Sequence, residues 1–419
     1  MPDIMNQELN VAVIGGGPAA STLATLLCRR GHRVAMFSVP EQAPILVGES
    51  LVPMIVPILQ ELGVEEAVAA VSILKPGACF TYDADKVFEF RFRDNPKGTP
   101  TYAYNVPRKD FNAILLANAR RAGACWIERR VCLERIEGTD RVRLDRASLQ
   151  AAAQCWGGGE PDLIVDAAGR ANLLGRLLGI PQQPGPRRDI ALFAHVDETG
   201  LVDPGYVHND RIDRGWCWRI PLPGRVSLGL VVPGDHAAGH GGSPEAQYDR
   251  LLREDSVLRR LAPKARRLTP VLRFDNYQSL SSRMVGENWA MLGDSAGFVD
   301  PVFSSGLLVA MKGACQLAET IEGGRPLADY EQRVREHLQA WFEIVGYYYD
   351  GRLMTSIERG QALAGNLAGR WLLSWVSRHI AAIVIGAATT RRFNLGLLRI
   401  LVDQRFGLYD RDPAGYRID

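Results

Sequence analysis

The sequence predicts an α/β protein: a parallel sheet assembled from separated stretches of chain, an antiparallel sheet inserted among them, and a helical region at the end. Three observations predict it. Short apolar runs at 9–14 (LNVAVI), 33–38, 162–167 and 289–293 have the length and unbroken character of strands buried on both faces. Between them lie sheet segments of another character: FTYDADKVFEFRFRD and TYAYNV within 78–104, and DIALFAHVDE, WCWRIPL and RVSLGLVVPG within 187–235. After Gly306 the apolar spacing turns helical and mostly stays so to about residue 400.

Each element has a local reason. LNVAVI runs into GGGPAA and then STLATLLCRRG, whose apolar residues recur at helical spacing; Gly31 ends that helix and HRVAMFS is the next strand. Residues 50–70 read as one or two helices. RKDFNAILLANARRA at 108–122 carries a helical stripe of Phe111, Ile114, Leu115 and Ala119. DLIVDAAG at 162–169 is a buried strand ending in small residues. CWGGGEPD (155–162) and GDHAAGHGGSPE (234–245) are turn-rich and read as loops; no internal repeat is present. The order implies a discontinuous domain from 1–80, 105–180 and 280–335, a sheet domain from 81–104 and 181–279, and a helical region over 336–419.

At 419 residues the chain can bury a large core. Its 49 basic and 47 acidic residues leave a net charge of +2, which gives no electrostatic case for a nucleic-acid partner. MPDIMNQELN is polar and acidic and leads straight into a strand; it does not read as a signal peptide, and a cytoplasmic protein is expected. Seven cysteines (Cys28, Cys79, Cys125, Cys132, Cys155, Cys217, Cys315) are scattered without CxxC spacing and read as thiols in a reducing compartment. His236 and His240 have HxxxH spacing in a glycine-rich loop with no third ligand nearby, so no metal site is expected. IAAIVIGAA at 380–388 follows Arg378 and His379 and is too short to span a bilayer. It reads as part of a buried or amphipathic helix rather than a membrane-surface or docking face.

The stretch Gly15-Gly16-Gly17-Pro18-Ala19-Ala20 fits G-x-G-x-x-A between its strand and its helix. Gly15 allows the tight turn, Gly17 lets the backbone approach a diphosphate, and Ala20 lets the helix pack close. The helix N-terminus then offers free N–H groups to phosphate. The acid expected at the end of the second strand is replaced by Ser38, with Glu41 close behind. A second signal, Gly293-Asp294 followed by Ser295-Ala296-Gly297, ends another core strand. Asp294 can bind a ribityl or ribose hydroxyl there, with Gly297 at the following turn. The pair of motifs favours FAD over NAD.

Gly15–Ala20, Asp166-Ala167-Ala168-Gly169-Arg170 and Gly293-Asp294 together resemble the FAD monooxygenases of the aromatic-hydroxylase type. VGESLVP (47–53), WCWRIP (216–221) and FVDPVFSSG (298–306) narrow the resemblance to flavin-dependent halogenases, closest to the pyrrole and phenol type and including the carrier-protein-dependent enzymes. It covers roughly residues 8–350. It implies a Rossmann-like FAD domain, an inserted substrate-side sheet and natural-product (antibiotic) biosynthesis. Reduced FAD, oxygen and halide give hypohalous acid, which travels to a lysine beside the substrate; here that is Lys75 in ILKPGACF. A desolvated lysine suits the role, either as a neutral amine or as an ammonium polarising the acid. Gly48, Glu49 and Ser50 match the flavin-covering strap, and Arg108 the flavin-contacting arginine. Ser304, Ser305 and Gly306 match the halide turn, with chloride or bromide on the amides of Ser305 and Gly306. Phe303 stands where tryptophan halogenases carry a glutamate, which argues against a tryptophan substrate. Phe80, Phe303, Trp341 and Tyr348 are expected in the substrate pocket, with Phe342 and Tyr347 to Tyr349 on the substrate-side helix.

On a strand, Trp216, Trp218 and Ile220 share a face and Cys217 and Arg219 take the other, while Pro221 ends the ladder or marks an edge. The pair of tryptophans is either an aromatic core ladder or a wall that keeps substrate off the flavin. The implied partners are a separate flavin reductase and an aromatic substrate, free or on an acyl or peptidyl carrier protein. The chain itself is expected as a monomer or homodimer without a membrane span. A hydroxylase or epoxidase of the same fold and a catalytically inactive flavoprotein scaffold are the competing readings; Lys75, the GES strap and the SSG turn oppose the scaffold.

Overall fold

The computed structural model describes residues 8–83, 86–197, 204–275, 278–362, 367–402 and 416–418; the first seven residues and most of the C-terminal tail, both covered by the sequence reading, lie outside them. The apolar runs pair as parallel strands in the order Trp289–Met291, Leu163–Asp166, Asn10–Ile14, Arg33–Ser38, Cys125–Glu128. The first strand is central and the order reverses beside it, so its C-terminal end opens a crevice. Cys125–Glu128 (CWIE) is a short edge strand that its sequence pattern does not mark. The helices Pro18–Arg29, Arg108–Arg121 and Ser305–Glu322 pack together over this sheet.

The second sheet has seven strands: Leu272–Asp275, Asp189–Val196, Arg225–Pro233, Trp216–Leu222, Val207–Arg211, Gly77–Asp83, Lys86–Arg91. It is not wholly antiparallel as expected. Val207–Arg211 and Gly77–Asp83 pair in parallel, which the long stretch of chain between them permits. The alternation expected of WCWRIPL is present. Trp216, Trp218 and Ile220 join the core that runs on to the parallel sheet; Cys217 joins a separate core with Leu228, Leu230 and Tyr248. Pro221 pairs only with Val226 near the hairpin turn, beyond Arg219, where pairing to the neighbouring strand stops, so its missing N–H costs no ladder bond.

Two local expectations are corrected. GDHAA, read as loop, forms a short helix, Gly234–Ala238, with Asp235 in its first turn. Cys125 and Cys155, read as thiols, form a disulfide with a Cα–Cα distance of 5.7 Å. Packing of the helix Arg146–Trp156 against Cys125–Glu128 brings the two together, which a separation of 30 residues conceals.

The helices Leu327–Tyr349, Arg352–Ala362, Leu367–Val384 and Arg392–Val402 complete the described chain. Among the described residues no helix is long and apolar enough to cross a membrane. Ile380, Ile383 and Ile385 of the apolar 380–388 stretch are buried.

Candidate active site

A cavity of about 610 Å³ begins at the turn after Asn10–Ile14 and ends beside the seven-stranded sheet. Gly15 holds φ +125°, and a Cβ there would lie 2.3 Å from the Ala167 carbonyl oxygen. A Cβ on Gly17 would meet nothing within 4 Å, so the backbone faces open space. The helix that follows has no side-chain cap, leaving its first N–H groups to the cavity. Ala20 is fully buried inside that helix and off the wall. Ser38 and Glu41 are on the wall. The Ser38 hydroxyl accepts from Trp126 Nε1 at 2.8 Å, and the Trp126 ring also faces the cavity.

Gly48, Glu49 and Ser50 border the same space. Gly48 is left-handed (φ +92°), and a Cβ would collide with Arg108 Nη1 at 2.4 Å. Arg108 donates to the Val47 carbonyl at 2.7 Å and to Asn112 Oδ1 at 2.8 Å. Burial lowers the affinity of Arg108 for its proton, and the carboxylates of Asp294, Glu49 and Glu41 oppose this. Asp294 lines the cavity, and burial raises its pKa against the pull of Arg108 and Arg170. Gly297 stands off the wall: it pairs with Leu280, and a Cβ would lie 2.9 Å from the Ser279 carbonyl. A glycine turn open to the cavity, an uncapped helix, and the Arg108 guanidinium and Asp294 carboxylate on one cavity wall fit the diphosphate and polyol of FAD.

A second cavity of about 440 Å³ adjoins the first, and Val207, Asn209 and Ser304 line both. Lys75 lines this second space at 3% exposure. Its Nζ donates to Ser50 Oγ at 2.7 Å and to the Leu51 carbonyl at 3.0 Å, and sits 5.4 Å from the Phe92 ring centre. Burial pulls its pKa down from 10.5 to about 7. Phe80, Phe88, Phe90, Phe92 and Phe303 line it with Ile380, Val384 and Ile385, and Glu89, Arg91 and Asp94 border it as well. Phe303 packs on Phe80, Trp341 and Tyr348 with ring centres 5.5–6.0 Å apart. Trp341 and Tyr348 therefore back the cavity rather than line it.

Ser304 takes a left-handed φ of 54° and its N–H bonds the Pro301 carbonyl at 2.9 Å. Ser305 and Gly306 open the helix Ser305–Glu322, so their N–H groups have no acceptor one turn back. Ser304 and Gly306 line the first cavity; a Cβ on Gly306 would lie 2.7 Å from the Phe298 ring. Trp218 and Ile220 are on that wall too, whereas Trp216, fully buried, lines neither cavity.

Four groups escaped the sequence reading. Asp166 of DAAGR accepts from the N–H groups of Ala168 and Leu174 and from Ser295 Oγ at 3.1 Å, tying the strand end to the Gly293-Asp294 turn. His195 meets both Glu49 oxygens at 3.0 Å. Trp126 holds Ser38. Asp300, pushed up to about 7 by burial, accepts from Tyr349. Only Asp166 and Asp300, inside quoted motifs, carried any local signal.

The profile of the tryptophan halogenase family matches residues 10–92 and 78–355. The 1H-pyrrole-2-carbonyl-(peptidyl-carrier protein) chlorinase of Pseudomonas fluorescens is 26% identical over 387 residues, covering 82% of this chain and 84% of that one. Tryptophan 2-halogenase of Chondromyces crocatus is 28% identical over 371 residues, covering 81% of this chain and 67% of that one. Among solved structures, the flavin-dependent brominase Bmp2 has the same fold, with a TM-score of 0.73 at 21% identity over 96% of this chain and 100% of that one. This chain belongs to the tryptophan halogenase family, the FAD-dependent halogenases.

Proposed function

We propose that this halogenase acts on an electron-rich ring, a pyrrole or a phenol, free or tethered to a carrier protein. It takes FADH2 from a separate flavin reductase, and Lys75 presents the electrophilic halogen to the ring. When bound, FADH2 supplies with O2, a halide ion and a proton the oxidation that yields hypohalous acid, oxidised FAD and water. The ring then exchanges C–H for carbon–halogen, and the hypohalous oxygen leaves as water.

The carrying observation is Lys75: it is buried in one cavity and hydrogen-bonded to the strap that borders the other. The amides of Ser305 and Gly306 hold halide, and the gap lined by Val207, Asn209 and Ser304 is the passage between the cavities. Near neutral pH Lys75 has both protonation states within reach, so it can donate to hypohalous acid or act as a neutral amine. Trp218 and Ile220 bar the ring from the flavin side, so halide rather than substrate is oxidised there. Phe303 itself offers no carboxylate for the ring proton; the carboxylates bordering the Lys75 cavity are Glu89 and Asp94. Burial among phenylalanines suits a flat aromatic substrate. The chlorinase relative, whose name specifies a carrier-bound pyrrole, supports the carrier-bound arm.

The test supplies reduced FAD, oxygen, chloride or bromide and candidate pyrroles and phenols, free and carrier-tethered, and looks for carbon–halogen bonds by mass spectrometry. Halogenated pyrrole or phenol is expected. Hydroxylated product without halogen would overturn the reading in favour of a hydroxylase.

A further inference from the structure

Trp216 is completely buried yet borders neither cavity, so a barrier role does not account for it. Its indole N–H donates to the Tyr349 hydroxyl at 2.9 Å, and that hydroxyl donates to Asp300 Oδ2 at 3.1 Å. The other oxygen of Asp300 accepts the N–H of Val302 at 3.0 Å. Two residues further on, Ser304 adopts its left-handed conformation. A non-glycine residue persists there only where its surroundings impose it. The Tyr349 ring is itself fixed from another direction, since the Arg187 guanidinium lies 3.8 Å from its centre and bonds Asp189.

A run of polar groups across a dry interior is costly unless every member is satisfied. This run joins the strand Trp216–Leu222, the end of the helix Leu327–Tyr349 and the segment before Ser304, and it ends on a backbone N–H in that segment.

We propose that Asp300 is a positioning residue for the halide turn: it fixes the backbone at Val302, with Tyr349 and Trp216 fixing Asp300. The inference rests on the reading of Ser304 to Gly306 as the halide site. Asp300 touches neither cavity and acts through the turn. Its consequence is that halide affinity depends on two residues, Tyr349 and Trp216, that contact neither halide nor substrate.

The test uses the full chain loaded with oxidised FAD and measures bromide binding by halide NMR line broadening, without turnover. FAD affinity and the melting temperature are measured alongside. Asp300→Ala is expected to weaken bromide about tenfold, and Tyr349→Phe about threefold, each the loss of a buried hydrogen bond. Asp300→Asn keeps an acceptor for the Val302 N–H and is expected to bind bromide within about threefold of the unaltered protein. FAD affinity is expected to change less than bromide affinity in all three, since none lines the FAD cavity and only the halide turn, one part of its wall, is disturbed. Unaltered bromide affinity in Asp300→Ala, or an Asp300→Asn variant as weak as Asp300→Ala, overturns the proposal. If Asp300→Ala does not fold, Tyr349→Phe, which deletes one oxygen, decides: unaltered bromide affinity there overturns it. If the unaltered protein binds no bromide, the halide reading itself fails and the inference with it; if it binds bromide and the variants do too, only the inference fails.

Discussion

The Lys75 Nζ and the Ser50 hydroxyl stand 2.7 Å apart although they belong to different cavities. The backbone explains how. Ala103–Asn105 pairs antiparallel with Ile73–Lys75, and its Asn105 bridges to Ser50. One short strand therefore carries both the lysine segment and the strap. A shift of the strap would reach the lysine through that bond.

Lys75→Ala and Lys75→Met are expected to lower carbon–halogen bond formation by at least about 100-fold, the range of a lost acid–base or nucleophilic group. Halide-dependent flavin oxidation and release of hypohalous acid to an added trap should continue, because Lys75 lines the other cavity and reaches the proposed FAD cavity only through Ser50. Product formation by Lys75→Met at the unaltered rate would remove Lys75 from the chemistry.

The same lysine predicts a pH signature in stability. Its folded pKa of about 7 lies below the unfolded value of 10.5. Between these pH values the unfolded chain holds the proton and the folded chain does not. Stability from this group therefore rises as pH climbs from about 7 to 10.5 and is flat below that window. Lys75→Met abolishes this dependence. Thermal melts from pH 6 to 10 should show the unaltered protein gaining on the Met variant by on the order of a few kcal/mol across this range. Parallel curves would contradict the buried, proton-poor lysine.

The parallel sheet was legible because its strands are buried on both faces and read as bare apolar runs, and the glycine turn because Gly15 and Gly17 are contiguous with their strand and helix. Lys75 was legible through the family resemblance, Ser50 as its partner was not. What stayed hidden lies in contacts between distant segments. His195 reaches Glu49 across 146 residues and Tyr349 reaches Asp300 across 49. Neither has a local pattern, because each pair is created by the docking of one sheet or helix on another. Gly297 shows the opposite error: a glycine in a motif position whose constraint is a neighbouring strand, not a ligand.

Trp216 and Trp218 should behave differently although one residue separates them. Trp218 lines the larger cavity, proposed for FAD, so Trp218→Ala should widen it toward the proposed passage. Hydroxylated product or wasted flavin oxidation should rise relative to halogenation. Trp216→Ala should leave that ratio alone and weaken halide instead. Each truncation deletes a buried ring and is expected to cost about 3–5 kcal/mol of stability, so Trp216→Phe and Trp218→Phe are the better-behaved companions. Identical product ratios in the two Ala variants would dissolve the distinction.

The disulfide between Cys125 and Cys155 closes a loop of 30 residues and pins the edge strand that carries Trp126. Replacing both cysteines by serine should cost about 2–4 kcal/mol. FAD affinity should fall as well, since Trp126 borders the cavity and holds Ser38. Thermal melts with and without reductant, together with FAD titration, read both effects. A reductant-insensitive melt in the unaltered protein would show that the bond contributes nothing to its fold.

Glu49 is 2% exposed, and both its oxygens lie 3.0 Å from His195 Nε2. Arg225 Nε donates to the other ring nitrogen, Nδ1, at 3.1 Å. Nδ1 is thus the acceptor and the ring proton sits on Nε2, aimed at the carboxylate. His195→Leu removes that donor and leaves a buried carboxylate without it, a loss of about 3 kcal/mol or more. The strap should loosen with it, weakening FAD by about tenfold if one charge-assisted bond orders it. Adding Glu49→Gln to His195→Leu replaces the stranded charge with a neutral amide, so the double variant should be more stable than His195→Leu alone. Calorimetric melting and fluorescence titration of FAD measure the two quantities separately. A His195→Leu protein that melts and binds FAD like the unaltered chain would mean that Glu49 needs no such anchor.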